Sequence, residues 1–364
     1  VFVAWRDLRF AKGRFALMGT VIVLITVLVG LLSGLTAGLG RENTSAVTSL
    51  PADHLVFSAP AGDDDVSFTD SHISTKTAGS WAAVPGVARA EPLGIATTKG
   101  ESGTRNAALS AFGVRPGSRL APEAARIAPG TAVLSERAAE ELGVRAGDRF
   151  TLAGQRLRAA AVSGGAMYSH TPVVWTALAD WQRMTGGPAA TKDDGGSTVL
   201  ALSAGDAGPT ALAAADRKLG TRTVASADAV RAIGSYTAEN GSLQLMRGFL
   251  FAISALVIGA FFTVWTIQRS GDVAVLKALG ASTRYLLRDA LGQAVVLLVL
   301  GTGLGTALAA GVGAAVGGTV PFVLEPATVL VPALVMIALG AVGAALAVRR
   351  VTAVDPLTAL GSAR

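Results

Sequence analysis

Residues 235–247 read SYTAENGSLQLMR, and in a helix Tyr236, Glu239, Leu243 and Met246 recur at steps of three, four and three along one face. A phenol and a carboxylate are hard oxygen donors for a metal ion, a thioether is a softer sulfur donor, and leucine adds apolar wall. Arg247 stands one position further round the helix, and Arg41 ends an earlier apolar stretch; either guanidinium can meet a carboxylate on a ligand. Plainer roles compete: Glu239 can hydrate or cap a helix end, Tyr236 can sit in an interfacial aromatic belt, and Met246 can simply pack. A second set, Met167, Tyr168 and His170, adds two more side chains that could ligate a metal, Tyr168 and His170. It follows Gly164-Gly165, however, and so is predicted to be a hydrated loop. His54 and His72 read as surface residues, and Asp63, Asp64 and Asp65 as a solvated turn.

The stripe precedes an apolar run, and such runs organise the whole chain. Hydrophobic residues make up 51% of it, charged residues 15%, and mean hydropathy is +0.51; a soluble chain carries about a quarter charged residues. A hydrocarbon core about 30 Å thick needs roughly 20 helical residues. Residues 15–39 supply twenty-five without a charge, and residues 248–268, 290–320 and 328–348 also suffice. The first run is longer than the apolar region of a signal peptide, about 7–15 residues. The expected fold is therefore an α-helical membrane protein with four transmembrane helices in a 1+3 arrangement.

Charge placement orients those helices. Arg6, Arg9, Lys12 and Arg14 precede the first span, Arg269, Lys277, Arg284 and Arg288 flank the loop after the second, and Arg349 and Arg350 follow the fourth. Residues 319–326 contain no Lys or Arg. Residues 41–240 carry 19 basic and 20 acidic side chains, net −1; the remainder carries 12 and 5, net +7. By the positive-inside rule both termini are cytoplasmic and residues 41–240 lie outside. The chain then divides into a cytoplasmic amphipathic segment (1–14), span one (15–40), an extracytoplasmic domain (41–240) and span two (241–268). A cytoplasmic loop (269–286), span three (287–318), an outer loop (319–327), span four (328–348) and a cytoplasmic tail (349–364) follow. The pI near 10.0 needs no nucleic-acid partner, because the basic residues flank spans instead of forming a patch with aromatics. With no cysteine, disulfides, thiol catalysis and thiolate metal sites are excluded.

The outer domain reads as mixed α+β. Short β-type runs at 54–57, 94–98 and 107–112 alternate with turn signals. Residues 135–142 form a short helix with Ser135 as N-cap and Gly143 as stop, and residues 148–152 and 155–162 form strands around Ala153-Gly154. A further strand pair is expected near 172–175 and 197–202, then a helix over 209–219 and a strand over 222–224. Residues 189–197 read as a flexible surface loop.

The loop after span two reads RSGDVAVLKALGAS over residues 269–282, a short amphipathic helix with Val275, Leu276 and Leu279 near one face and Gly280 as a stop. Such a face needs lipid or a partner's groove to cover it. Here the chain resembles the MacB/FtsX-like permeases of ABC transporters. Asp272, Val273, Lys277, Ala278, Leu279, Gly280, Ala281 and Ser282 match that family's loop signature, with Ala274 where the family has Gly. Pro356, Leu357, Ala359 and Leu360 are similar to its C-terminal ending, and Val133, Leu134, Ser135, Leu142, Gly143, Gly147 and Asp148 to a segment of its outer domain.

The resemblance implies that Asp272, Val273, Val275, Leu276, Lys277, Leu279 and Gly280 belong to a coupling helix docked on a separate ATPase. That ATPase, present in two copies with ATP-Mg, would serve two copies of this chain in a bacterial cytoplasmic membrane. The chain itself lacks a P-loop, since none of its six lysines follows a glycine, so by itself it is not an enzyme. No intrinsic cofactor is expected. Residues 5–14 and the compact outer domain resemble the permeases of HrtB-type haem exporters, which implies haem as the transported ligand. Haem is an apolar plate with two carboxylates and an iron that takes an axial ligand. On this reading Glu239, Tyr236, Met246, Arg41, Arg247 and Tyr168 are the candidate haem-binding residues, with iron taken by Glu239 or Tyr236. Competing readings are an FtsX-like mechanotransmitter and a lipoprotein, peptide or drug exporter. An intramembrane protease is disfavoured, since the spans hold no His and no Asp pair and Asp289 lies at an end.

Overall fold

The structure, a computed structural model, describes residues 12–62, 64–186, 195–268, 271, 275, 279–317 and 320–352. The chain forms two compact units, Val1–Leu39 with Gly241–Arg364, and Gly40–Asn240. Helix α1 (Lys12–Thr48) supplies the first span and its last turns belong to the second unit.

In the second unit, β1 (His54–Ser58), α2 (Thr75–Ala82), β2 (Arg89–Ser102), β3 (Arg105–Val114), β4 (Thr131–Leu134), α3 (Glu136–Leu142), β5 (Arg149–Leu152) and β6 (Gln155–Val162) come first. They are followed by β7 (Met167–Tyr168), β8 (Thr171–Ala177), α4 (Leu178–Thr185), β9 (Val199–Ser203), α5 (Pro209–Leu219) and β10 (Thr221–Ala225). The strands run in the order β10-β1-β9-β2-β3-β8-β4-β6-β5, with β7 on β8. Strand β2 also pairs with β5, so β2, β3, β8, β4, β6 and β5 close into a ring, while β10, β1, β9 and the start of β2 form an antiparallel wing. Trp81 of α2 and Leu212 of α5 pack on the wing with Val56, Leu200 and Leu202. Leu142 of α3 and Trp181 of α4 pack on the ring with Leu109, Leu134, Phe150 and Val174. Gly94 and Gly113 are cross-strand partners under the Trp181 indole, where a Cβ on either would overlap the ring.

Local chemistry explains where these elements start and stop. Ser135 accepts from Ala138 N at the head of α3, and Gly143 closes that helix at φ 66°. Pro209 opens α5 and Gly220 ends it at φ 63°. Ala153 and Gly154 both take positive φ, the turn that a two-residue hairpin requires. Two helices escape the sequence reading, α2, capped by Ser74, and α4. One expectation is corrected: β8 and β9 do not pair with each other, since β8 lies between β3 and β4 and β9 between β1 and β2. Asp63 and most of the expected 189–197 loop lie outside the described residues, and Ser197 bridges Ile73.

The first unit contains α1, α6 (Gly234–Gln268), α7 (Thr283–Val316) and α8 (Pro326–Thr352); α6 begins in the second unit. All four helices are long and apolar enough to cross a membrane. Small residues let them approach: a Cβ on Gly30 would lie 2.8 Å from Ala309 Cβ, and one on Gly305 would lie 2.7 Å from Thr26 Cβ. Met18, Ile22, Ile258, Phe262, Leu298 and Met336 fill the interior, whereas Leu24, Leu256, Leu300 and Leu334 point outward as a lipid-facing surface requires. Between α6 and α7, Asp272, Val273, Leu276 and Lys277 lie outside the described residues. Val275 and Leu279 are exposed, Gly280 adopts φ 93°, and Ser282 caps α7.

Candidate functional site

Within the second unit three segments converge: residues 42–45 of α1, the turn between β7 and β8, and residues 235–239 of α6. Ser169 and His170 form that turn with φ of 49° and 61°, the left-handed region that non-glycine residues adopt at a cost of about 1 kcal/mol or more each. Contacts with α1 hold it there. Ser169 N donates to Asn43 O at 3.0 Å, His170 N to Glu42 O at 3.3 Å, and Met167 N to Ser45 Oγ at 2.9 Å.

The side chains complete the junction. His170 Nε2 lies 2.8 Å from Glu239 Oε2, and Asn43 Nδ2 lies 3.4 Å from the same oxygen. Asn43 Oδ1 accepts from Ser235 Oγ at 2.7 Å, and Ser235 Oγ is 2.9 Å from Ser169 Oγ. Asn43 Nδ2 also lies 3.1 Å from His170 Nε2, and an amide donor and a carboxylate make opposite demands on one ring nitrogen. Placing the proton on Nε2 satisfies the carboxylate and leaves Asn43 donating to Glu239. The other ring nitrogen, Nδ1, stands 3.8 Å from Glu42 Oε2, while Arg137 holds Glu42 Oε1 at 2.7 Å. Glu239 keeps 44% of its side chain exposed, and among the described residues none donates a hydrogen bond to its Oε1.

The residues singled out from sequence are distributed unevenly around this junction. Tyr236 and Glu239 lie on α6, as the helical stripe requires, but Tyr236 is half-buried and packs against the core of the second unit. Met246 and Arg247 are on the same helix in the other unit. Arg41 is exposed, one residue before Glu42. Tyr168 corrects the expectation of a hydrated loop. It is 6% exposed, packs edge-on against Phe68 and Phe112, and burial pushes its phenol's pKa up, which disfavours the phenolate that iron binds. His170 is likewise not a free loop residue but the hub of the cluster. His54 is half-buried in β1, with Nδ1 enclosed, and His72 is exposed. The sequence reading missed Glu42, Asn43 and Arg137. Its one available hint was the polar pair directly after the first apolar run.

Among the described residues no group of three His, Asp or Glu side chains is placed to hold a bare metal ion. A single open carboxylate suits instead a metal that brings most of its own ligands. A cleft of about 800 Å³ in the second unit lies elsewhere, over Arg105, Arg126 and Arg145; Arg105 is engaged by Glu140 O and Arg126 by Glu123. It is broad and open, and it shares no residue with the junction.

Two family descriptions match this architecture: "MacB-like periplasmic core domain" over residues 15–219 and "FtsX-like permease C-terminal" over residues 245–356. The chain belongs to the MacB/FtsX-like family of ABC transporter permeases. The permease is similar end to end to proteins named "Putative hemin transport system permease protein HrtB". The one from Staphylococcus haemolyticus is 25% identical and the one from Staphylococcus epidermidis 22%, each with 99% of both chains covered. It is also 27% identical, at the same coverage, to an "Uncharacterized ABC transporter permease" of Mycobacterium tuberculosis. The four spanning helices, with an α/β domain between the first and second, are the arrangement the family shares. The family also implies a separate ATPase and a dimeric assembly.

Proposed function

We propose that this permease is the non-catalytic membrane subunit of an efflux pump that expels haem, taken from the membrane or its outer leaflet, using ATP hydrolysed by a partner chain. The observation that carries the reading is Glu239, a half-exposed carboxylate near the start of the second spanning helix, one of whose oxygens has no hydrogen-bond donor among the described residues. Haem iron already has four porphyrin nitrogens and needs only an axial ligand, which one carboxylate oxygen can supply. The end-to-end likeness to permeases named for hemin transport makes haem the substrate to test. Arg41 and Arg247 are the cations proposed to meet its propionates, and Tyr236 is the alternative iron ligand. The excess of basic residues beside the spans supports a reading with both termini and the 269–286 loop in the cytoplasm of a bacterial cell. There Asp272, Val273, Val275, Leu276, Lys277, Leu279 and Gly280 would dock on one of two ATPase copies, and a second permease would complete the pump.

The test is hemin titration of the permease–ATPase complex in lipid nanodiscs, with the Soret band and ATP hydrolysis as readouts. Hemin should shift the band and stimulate hydrolysis, and Glu239→Gln should abolish both while Tyr236→Phe spares them. An unshifted Soret band in the wild-type protein, or stimulation by detergents and peptides but not hemin, refutes the haem reading.

A further inference from the structure

Glu239 is not idle in the empty protein: its Oε2 accepts from His170 Nε2 at 2.8 Å and from Asn43 Nδ2 at 3.4 Å. A porphyrin bonded through its iron to this carboxylate would place a plate wider than the carboxylate directly over it. An imidazole within hydrogen-bonding distance of the same group obstructs that approach. The ring has a second acceptor already in place. Glu42 Oε2 faces Nδ1 at 3.8 Å, and Arg137 fixes the other Glu42 oxygen at 2.7 Å, so the free one points at the histidine.

We propose that His170 is a displaceable guard on Glu239: it occupies the carboxylate when the site is empty, yields it to haem, and passes to Glu42. The proposal rests on the haem reading above and adds a positioning residue to it. With its proton on Nε2, the ring can donate to Glu42 only after that proton is relayed through solvent to Nδ1: the Nε2–H bond breaks as the Nδ1–H bond forms, with no net change in charge. The hydrogen bond to Glu239 is thereby exchanged for an iron–oxygen coordinate bond at haem's open axial position and a hydrogen bond to Glu42. The backbone makes the exchange a signal. His170 sits at φ 61° in a two-residue turn, and its contact with Glu239 is one of the ties that hold this strained turn to α6. Occupancy of Glu239 therefore loosens the β7–β8 turn from α6 while its backbone bonds to Glu42 and Asn43 keep it on α1.

The experiment compares wild type, His170→Gly, His170→Gln and Glu239→Gln in the permease–ATPase complex, titrated with hemin. Glycine suits the positive φ, so His170→Gly removes the ring without straining the turn. It should bind hemin about five- to tenfold tighter, the size expected for freeing a partly exposed charge-assisted hydrogen bond, with the Soret position unchanged. His170→Gln, which still donates to Glu239, should stay near wild type. Amide exchange at residues 169–170 should rise on adding hemin to the wild type and stay flat in Glu239→Gln. If Glu239→Gln loses hemin but His170→Gly binds it no tighter, the guard is refuted and the haem reading survives. A moved Soret band in His170→Gly refutes the guard by making His170 itself an iron ligand. Unaltered hemin binding by Glu239→Gln removes the guard together with the assignment of Glu239 as ligand.

Discussion

Asn43 offers the sharpest perturbation of the junction, because it is 1% exposed and touches all three segments. Asn43→Ala removes the hydrogen bonds to Glu239 and Ser235, at about 1 kcal/mol each. Neither partner is orphaned: Ser235 keeps Ser169 at 2.9 Å, and Glu239 keeps His170 at 2.8 Å. Alanine also recovers about 0.5 kcal/mol of helix propensity, so the net loss is about 1–1.5 kcal/mol. Asn43→Asp has the same shape but turns a donor into a carboxylate 3.4 Å from Glu239. Two charges at that distance repel by about 5 kcal/mol at an effective dielectric of about 20 and by about 1 kcal/mol in water. With Glu239 44% exposed, about 1–2 kcal/mol is the appropriate figure.

The sign of the pH dependence follows. A like charge raises the folded-state pKa of the introduced carboxyl above its unfolded value of about 3.9. The penalty is thus complete above the folded pKa and fades as pH falls toward the unfolded one. For a unit of this size 1 kcal/mol is worth about 2–4 °C. Thermal unfolding of the full-length protein in nanodiscs, followed by tryptophan fluorescence, should show Asn43→Ala lowered by roughly 2–6 °C at any pH. Asn43→Asp should fall by roughly 2–8 °C at about pH 8 and less at about pH 5, each against wild type at that pH. An alanine variant within 1 °C of wild type (about a quarter of a kcal/mol), together with a pH-independent aspartate variant, refutes the hydrogen-bond assignment.

Other positions give further tests. Trp181→Ala should cost about 3–5 kcal/mol, because its ring covers Gly94 and Gly113, whereas Trp181→Phe should cost only about 1 kcal/mol, since the buried indole N–H it removes has no partner among the described residues. Denaturant unfolding distinguishes the two. Gly305→Leu should drive α1 and α7 apart, since even a Cβ there sits 2.8 Å from Val23 O; loss of both folded yield and transport is expected, with Gly303→Leu, which has open space, as the tolerated control. Burial raises the pKa of Tyr168, so the unfolded chain loses this proton first. Stability should decline as pH rises past about 10, and Tyr168→Phe should flatten that decline in alkaline unfolding curves.

The elements legible in sequence are those with chemical punctuation at both ends. Residues 209–219 have Pro209 and Gly220, residues 155–162 follow a two-residue Ala-Gly turn, and α3 has Ser135 and Gly143. Helix α2 was not legible because TKTAGSWA is short and rich in Thr, Gly and Ser, with only Ser74 to announce it. The pairing of β8 was not legible either. Strand partners are chosen by the whole sheet, and β2, fourteen residues long, serves β9 with its first five residues and β3 with its last nine. The candidate site divides in the same way. Glu239 and its helical stripe were visible from spacing within thirteen residues. His170 is 69 positions from Glu239 and Asn43 is 196, and no local pattern marks either as its partner. Ser169-His170 also lacks the Asn-Gly chemistry that betrays a tight hairpin.

The chain passes between its two compact units only at 39–40 and 240–241, each time inside a helix. Glu42, Asn43, Ser235 and Glu239 all lie within six residues of one of those crossings. A ligand on Glu239 would therefore act on the two helices, α1 and α6, by which the chain passes from one unit to the other. If haem and ATP communicate through this junction, their coupling is a single free energy and must be reciprocal. A non-hydrolysable ATP analogue should change the hemin dissociation constant by the same factor by which saturating hemin changes that of the analogue. Asn43→Ala, which loosens the junction while leaving Glu239 in place with its His170 contact, should bring both factors toward one together. Two factors that differ at equilibrium, or a variant that alters one and spares the other, would place the coupling outside this cluster.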